Sequence, residues 1–230
     1  MGKIATRGLL LAVAGILLAA TGPAAARSTT AASGALAAAP GPAAPVLAPE
    51  LGNPRARVRV VIFEDLECPD CAHWHGVMKK QFFPVYRSRV RFEFRDFPLP
   101  QHAWAFNAAV VARYFATRSA ALYFAWRDYC FTHQNELTPA NLMEQAGGFA
   151  AAAGIPRAAL DAAFGRADLF AAVERDQAEG ARADVRHTPT ILVGANRTGV
   201  DRGGALDPTD LKEASTPEQL TLMLQQALGH

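Results

Sequence analysis

Cys68 and Cys71 are separated only by Pro69 and Asp70, and they come soon after the apolar run 58–63, with Glu64 to Glu67 between. That run reads as a strand. Pro69 suits the first position of a helix, where its missing N–H costs nothing. A helix start presents unpaired N–H groups and a positive dipole end, which pull a thiol below the roughly 8.5 of free cysteine. Two thiols at this spacing can also close a disulfide. The pair therefore reads as a redox-active dithiol. Cys68, at the edge of the first turn, is expected to be the exposed attacking thiolate. Cys71, deeper on the same helix face, is expected to resolve the mixed disulfide. Asp70 puts a carboxylate beside Cys68, so a less acidic thiol is expected than with a basic residue there.

A CxxC pair is also half of many zinc sites. The chain has one further cysteine, Cys130. At about 100° per residue, Cys68, Cys71 and His75 share a helix face while His73 points nearly opposite, so four local ligands cannot converge. A metal-binding or metal-delivery site of Cys68, Cys71 and His75 is the rival reading. Under the dithiol reading neither a metal nor an organic cofactor is expected. Haem attachment would need His directly after the second cysteine, and Ala72 stands there. Cys130 lies in an aromatic helical stretch and reads as a buried thiol behaving as a small hydrophobe. An intermolecular disulfide or a regulatory thiol is its other reading. His75 could tune the sulfurs from one turn below, and His187 could lie near them. His102 is assigned to the loop after Pro100, and His73 to solvent. Trp74, Phe82 and the aromatic stretch 104–126 read as core.

The elements that must hold this pair follow from pattern. Residues 90–95 alternate apolar and charged, which is a second strand. From about 103 to 183 the chain is Ala-rich with helical rhythm, and breaks are expected near 118, 135–139, 154–156 and 165. Residues 190–193 form a strand, and Val200 could start a return strand. Thr216-Pro217-Glu218 is a helix start, with Thr as cap and Pro at the first position. Strand, helix, strand at the front predicts a parallel crossover and a sheet with helices on both faces.

Lys3 and Arg7, the apolar run 8–20 and the small residues 24–26 read as a secretory signal peptide, residues 1–26, with an uncleaved membrane anchor as the alternative. Residues 27–50 read as an Ala/Pro-rich linker. The formal charge is +2; removing Lys3 and Arg7 leaves 21 basic against 21 acidic residues, a net of zero. A neutral mature chain offers no electrostatic case for nucleic acid. Export places the cysteines in an oxidising periplasmic or extracellular compartment.

Three segments together resemble the DsbA-like thiol-disulfide oxidoreductases: residues 63–71 (FEDLECPDC), 90–100 (VRFEFRDFPLP) and 187–193 (HTPTILV). The resemblance covers about 57–228. It implies an α/β thioredoxin fold with a central mixed sheet, residues 51–101 and 184–230 forming the thioredoxin-like domain and 102–183 a helical insertion. It implies that Thr188-Pro189 is a cis peptide beside the cysteines and docks the backbone of an extended substrate. The implied activity is oxidation of cysteine pairs in unfolded or partly folded exported proteins. A redox partner in the membrane would recycle the dithiol. The same site run as a reductase or isomerase is the nearest alternative. Isomerases of this kind carry an N-terminal dimerisation module that residues 27–50 cannot supply, which favours oxidation; a monomer is expected. The chain departs from the family in three places. Many relatives have an acid six residues before the first cysteine, where this chain has Ile62; Glu64 or Asp65 could substitute. The dipeptide Pro-Asp is not basic. Residues 199–215 are longer and more irregular than a last hairpin requires.

Overall fold

The computed structural model describes residues 45–195 and 211–229. The expected signal peptide, most of the expected linker and the return strand sought at Val200 lie outside them.

Five strands form one sheet in the order β1-β3-β2-β4-β5. At its centre is β2 (Val58–Glu64), buried along its whole length. It pairs in parallel with β3 (Val90–Asp96), from Val58 opposite Val90 to Glu64 opposite Asp96. On its other side it pairs antiparallel with β4 (Thr190–Ala195), where Phe63 faces Thr190. The short edges β1 (Leu51–Gly52) and β5 (Leu211–Glu213) add antiparallel to β3 and β4.

Parallel neighbours need a crossover, and here it is helical. α1 (Pro69–Val77) runs into a π-helical turn, Met78–Phe82, and then into α2 (Phe83–Tyr86). The single helix expected to Phe82 thus changes its ladder just before Pro84, which has no N–H to donate. Val60, Ile62, Phe92, Phe94, Ile191 and Val193 present one sheet face. Met78, Phe82 and Tyr86 cover it, with Leu220 and Leu224 of α8 (Pro217–Leu228). Thr216 caps α8, its Oγ1 accepting from Gln219 N at 3.2 Å, as the Thr-Pro-Glu pattern predicts.

The opposite face carries charge. Arg59, Arg91 and Glu93 are buried there. Glu93 pairs with Arg91 at 3.3 Å and with Arg95 at 2.9 Å, and Arg95 reaches Glu179 at 2.7 Å. The last residues of the expected linker belong to this layer. Glu50 pairs with Arg91 at 2.5 Å, and Val46 O accepts from Arg175 at 2.9 Å. Val46 and Ala48 pack on the core. The linker expectation therefore runs too far: its end is apolar enough to bury and acidic enough to meet Arg91.

Between β3 and β4 the chain forms α3 (Ala105–Ala116), α4 (Ala120–Thr132), α5 (Leu142–Ala152), α6 (Arg157–Ala163) and α7 (Ala167–Arg182). The breaks fall where expected. Phe115, Tyr123 and Trp126 fill the interior of this block, and the Trp126 indole N–H donates to Ala108 O at 3.0 Å. Arg113 ties α3 to the sheet and to α7: its Nε donates to Asp96 Oδ2 at 2.5 Å, and its Nη2 donates to Asp176. α7 approaches closely at Gly180. A Cβ there would lie 2.5 Å from Phe97 Cε2 and 3.1 Å from Phe63 Cε1, so only glycine fits without a shift. Among the described residues no helix is long and apolar enough to cross a membrane.

Candidate active site

β2 ends at Glu64, and a short loop leads from it into α1. Cys68 occupies the N-cap position in extended backbone, and Pro69 takes the first helical turn. Cys68 N donates to Asp65 O at 3.2 Å, and Ala72 N donates to Cys68 O at 3.1 Å, which starts the helix. No side chain caps α1, so its first N–H groups face the thiols. Pro69 and Asp70 are exposed.

The two cysteines are free thiols in very different surroundings. A hydrogen bond from the Cys71 thiol lowers the Cys68 pKa most. Thr188 and the backbone N–H groups of Cys71 and Asp70 lower it further, against a desolvation cost, to about 5. Burial, and then the Cys68 sulfur beside it, push Cys71 well above the ordinary 9.0. Cys71 Sγ also accepts from Asp65 N at 3.4 Å. Asp70 thus supplies an N–H that favours the Cys68 thiolate, while its carboxylate stays in solvent.

Thr188 and Pro189 close the site from the β4 side. Their peptide is cis. As a thiol, Cys68 donates to Thr188 O at 3.3 Å. The Thr188 hydroxyl is buried without a hydrogen-bond partner among the described residues while Cys68 is a thiol; the Cys68 thiolate gives it an acceptor, which is how Thr188 lowers that pKa. This cover corrects one expectation: Cys68 is only 6% exposed rather than open to solvent. Beside it runs a groove lined by Asp70, His73, Trp74, His187, Pro189 and Glu213.

The two expected tuners are committed elsewhere. Glu64 is buried in an ion pair with Arg127 of α4, whose guanidinium lies 5.0 Å from the Phe94 ring centre. His75 Nε2 meets Asp128 Oδ1 at 2.6 Å, and its ring packs on Phe131 at 4.6 Å. This hydrogen bond to α4 draws the imidazole away from a role with Cys68 and Cys71, as a tuner or as a third metal ligand. Among the described residues no group of three or more His, Cys, Asp or Glu is arranged to hold a metal. Asp65 reaches the sulfur through its backbone only. Its carboxylate accepts from Glu67 N, Leu99 N and His102 Nδ1 at 2.7, 2.7 and 2.6 Å. His187 is exposed and pairs with Glu213 at 3.2 Å. Cys130 is fully buried, and burial pushes its thiol up.

Two residues outside the expected set shape the active-site loop. Glu67 Oε2 accepts from Trp104 N and Ala105 N at 2.7 and 3.0 Å, capping α3 from beside Cys68. Gln134 donates to the loop's carbonyls. Neither carries a local motif; both act across dozens of residues, which spacing does not reveal.

A mixed sheet with a CxxC pair at the start of the crossover helix, facing a Thr-Pro turn before an antiparallel strand, defines a thioredoxin-fold dithiol protein with inserted helices. The family model described as thioredoxin matches residues 48–225, and the chain belongs to that family. No curated protein matches the sequence. Oxidised BdbD from Bacillus subtilis is 18% identical with a TM-score of 0.62, over 79% of this chain and 93% of that one. DsbA2 from Pseudomonas aeruginosa is 17% identical with a TM-score of 0.61, over 80% and 95%. α-DsbA1 of Wolbachia pipientis is 15% identical with a TM-score of 0.60, over 78% and 92%. The fold, including the helical block, is that of DsbA proteins.

Proposed function

We propose that this protein is an exported thiol-disulfide oxidoreductase that oxidises cysteine pairs in other exported proteins. One observation carries the reading: Cys68 is held near 5 while Cys71, three residues on, is held well above 9.0. A stabilised Cys68 thiolate favours the reduced dithiol, so the Cys68–Cys71 disulfide is a good oxidant and Cys68 a good leaving group.

In the forward reaction a substrate thiolate attacks Cys68 Sγ of the disulfide. The Cys68–Cys71 bond breaks, and Cys71 leaves with the electron pair and takes up a proton, as its high pKa favours. A second substrate thiolate then attacks the substrate sulfur of the mixed disulfide and releases Cys68 as thiolate. Two electrons pass from the substrate dithiol to the Cys68–Cys71 pair. Thr188 and Pro189 receive the substrate backbone, as the DsbA likeness supports. A membrane partner holding an oxidant restores the disulfide. The chemistry uses no organic cofactor, because the disulfide is the redox centre. The N-terminal signal pattern supports action in the periplasm or outside the cell, and the protein works there as a monomer.

The test is equilibration of the pair with glutathione buffers, together with oxidation of a reduced two-cysteine peptide. A couple more oxidising than glutathione and fast peptide oxidation are expected. A strongly reducing couple would assign the same site to reduction instead. Tight copper(I) binding without peptide turnover would defeat the dithiol reading.

A further inference from the structure

Gln134 extends from the loop between α4 and α5 to the active-site loop. Its Nε2 donates to Leu66 O and to Cys68 O, both at 2.9 Å. A carboxamide nitrogen has two donors, and both are spent here. The Cys68 carbonyl already accepts the first bond of α1 from Ala72 N; Gln134 takes its second lone pair.

This contact adds a side-chain restraint to a carbonyl otherwise held by the backbone bond from Ala72. Cys68 is the N-cap, with φ −75 and ψ 123, and its own side chain is the reacting thiol, so no side chain caps the helix. The other polar side chains of the loop hold other atoms. Asp65 binds Glu67 N, Leu99 N and His102, and Glu67 caps α3. Among the described residues, Gln134 supplies the side-chain contact to the Cys68 carbonyl. Fixing that carbonyl plane fixes ψ of Cys68. It therefore fixes how its sulfur sits against the N–H groups of Asp70 and Cys71 and against Thr188.

We infer that Gln134 is a positioning residue for Cys68, holding the N-cap in the conformation that turns its sulfur toward the first-turn N–H groups. It touches neither sulfur. The inference rests on the reading of Cys68 as the attacking thiol, and it places part of that thiol's control in the helical block.

The experiment is a pH titration of thiolate absorbance on the reduced full-length protein. Gln134→Met keeps the length and removes both donors. Gln134→Glu keeps the shape and sets carboxylate oxygens against two carbonyls. In both, the Cys68 midpoint is expected to rise by about half a pH unit or more, with the Glu variant higher than the Met one. The equilibrium constant with glutathione should move several-fold toward a weaker oxidant. A folded variant with a lowered melting temperature and an unmoved midpoint would make the contact merely structural and overturn the inference. If both variants fail to fold, Gln134→Asn, with its shorter arm, is read by the same criterion. The titration needs no turnover, so its failure counts against Gln134 alone, while the peptide assay judges Cys68.

Discussion

The Cys68 sulfur lies 3.3 Å from the Thr188 carbonyl oxygen, across 120 residues of chain. One is the N-cap of α1, reached by a short loop from the central strand, and the other lies in the turn before β4; the antiparallel pairing of Phe63 with Thr190 brings them together. The thiol and the surface that would receive a substrate backbone are thus set by the same strand register. A slip of one residue would turn the Thr188 side away from the sulfur.

Thr188→Val keeps the shape of that side chain and removes its hydroxyl. Thr188 lowers the Cys68 pKa. The variant should titrate about half a pH unit higher and release substrate from the mixed disulfide more slowly. Thiolate absorbance and single-turnover exchange with a peptide measure both effects; an unmoved midpoint would remove Thr188 from thiolate stabilisation.

Alkylation of reduced protein should follow a single thiolate with its midpoint near 5, and Cys71 should stay unreactive through neutral pH. The same shift predicts stability. The Cys68 pKa is depressed from 9.0 to about 5 on folding, so its ionisation contributes nothing below about pH 5. The contribution grows between 5 and 9 and is complete above 9. Reduced protein should gain roughly 2–3 kcal/mol over a Cys68→Ala variant across that window, after allowance for solvent screening. Urea unfolding at several pH values reads this difference, and a gap constant with pH would contradict it.

Cys71→Ser should capture disulfide-bonded peptides as mixed disulfides on Cys68, whose thiolate opens the peptide's disulfide and frees its other sulfur as a thiol, because no Cys71 thiol remains to displace the peptide. Cys130→Ala should leave exchange rates unchanged and cost about 1 kcal/mol of stability, since it only trims a buried side chain. Non-reducing electrophoresis and thermal melts separate the two; loss of exchange in Cys130→Ala would give that thiol a part in the exchange.

Arg127→Met should destabilise by about 3–5 kcal/mol, because it leaves Glu64 buried without its cation. The double variant with Glu64→Leu should recover much of that loss. Denaturant midpoints of the two single variants and the double one give the coupling directly; simple additivity would mean that the pair does not interact.

The parts legible in the sequence are those with local causes. Pro69 after an apolar strand, the alternation at 90–95 and Thr216 before Pro217 each name their element within a few residues. The alternation could not say that the charged side of β3 is covered as well. That depends on Glu179 and on residues 45–50, which are distant in sequence. The meeting of Cys68 and Cys71 with the Thr188 turn was legible, where spacing and resemblance agree. The partners of Glu64 and His75 were not legible, because strand parity and helix pitch place a side chain without revealing who competes for it. Arg127 and Asp128 of α4 win both. Gln134 was invisible for the converse reason: an isolated glutamine in a helix-to-helix loop has no pattern at all.

Gly180 carries a consequence for how this chain can change over generations. Its missing side chain lets α7 rest on Phe97, the residue after β3, whose N–H bonds Glu64 O at 2.8 Å. Two residues on, Leu99 N holds the carboxylate of Asp65, and Asp65 N faces the Cys71 sulfur. A single methyl at 180 would press on the first link of that chain. This inner position of α7 is answerable, through a short relay of neighbours, to the chemistry of a thiol it never meets.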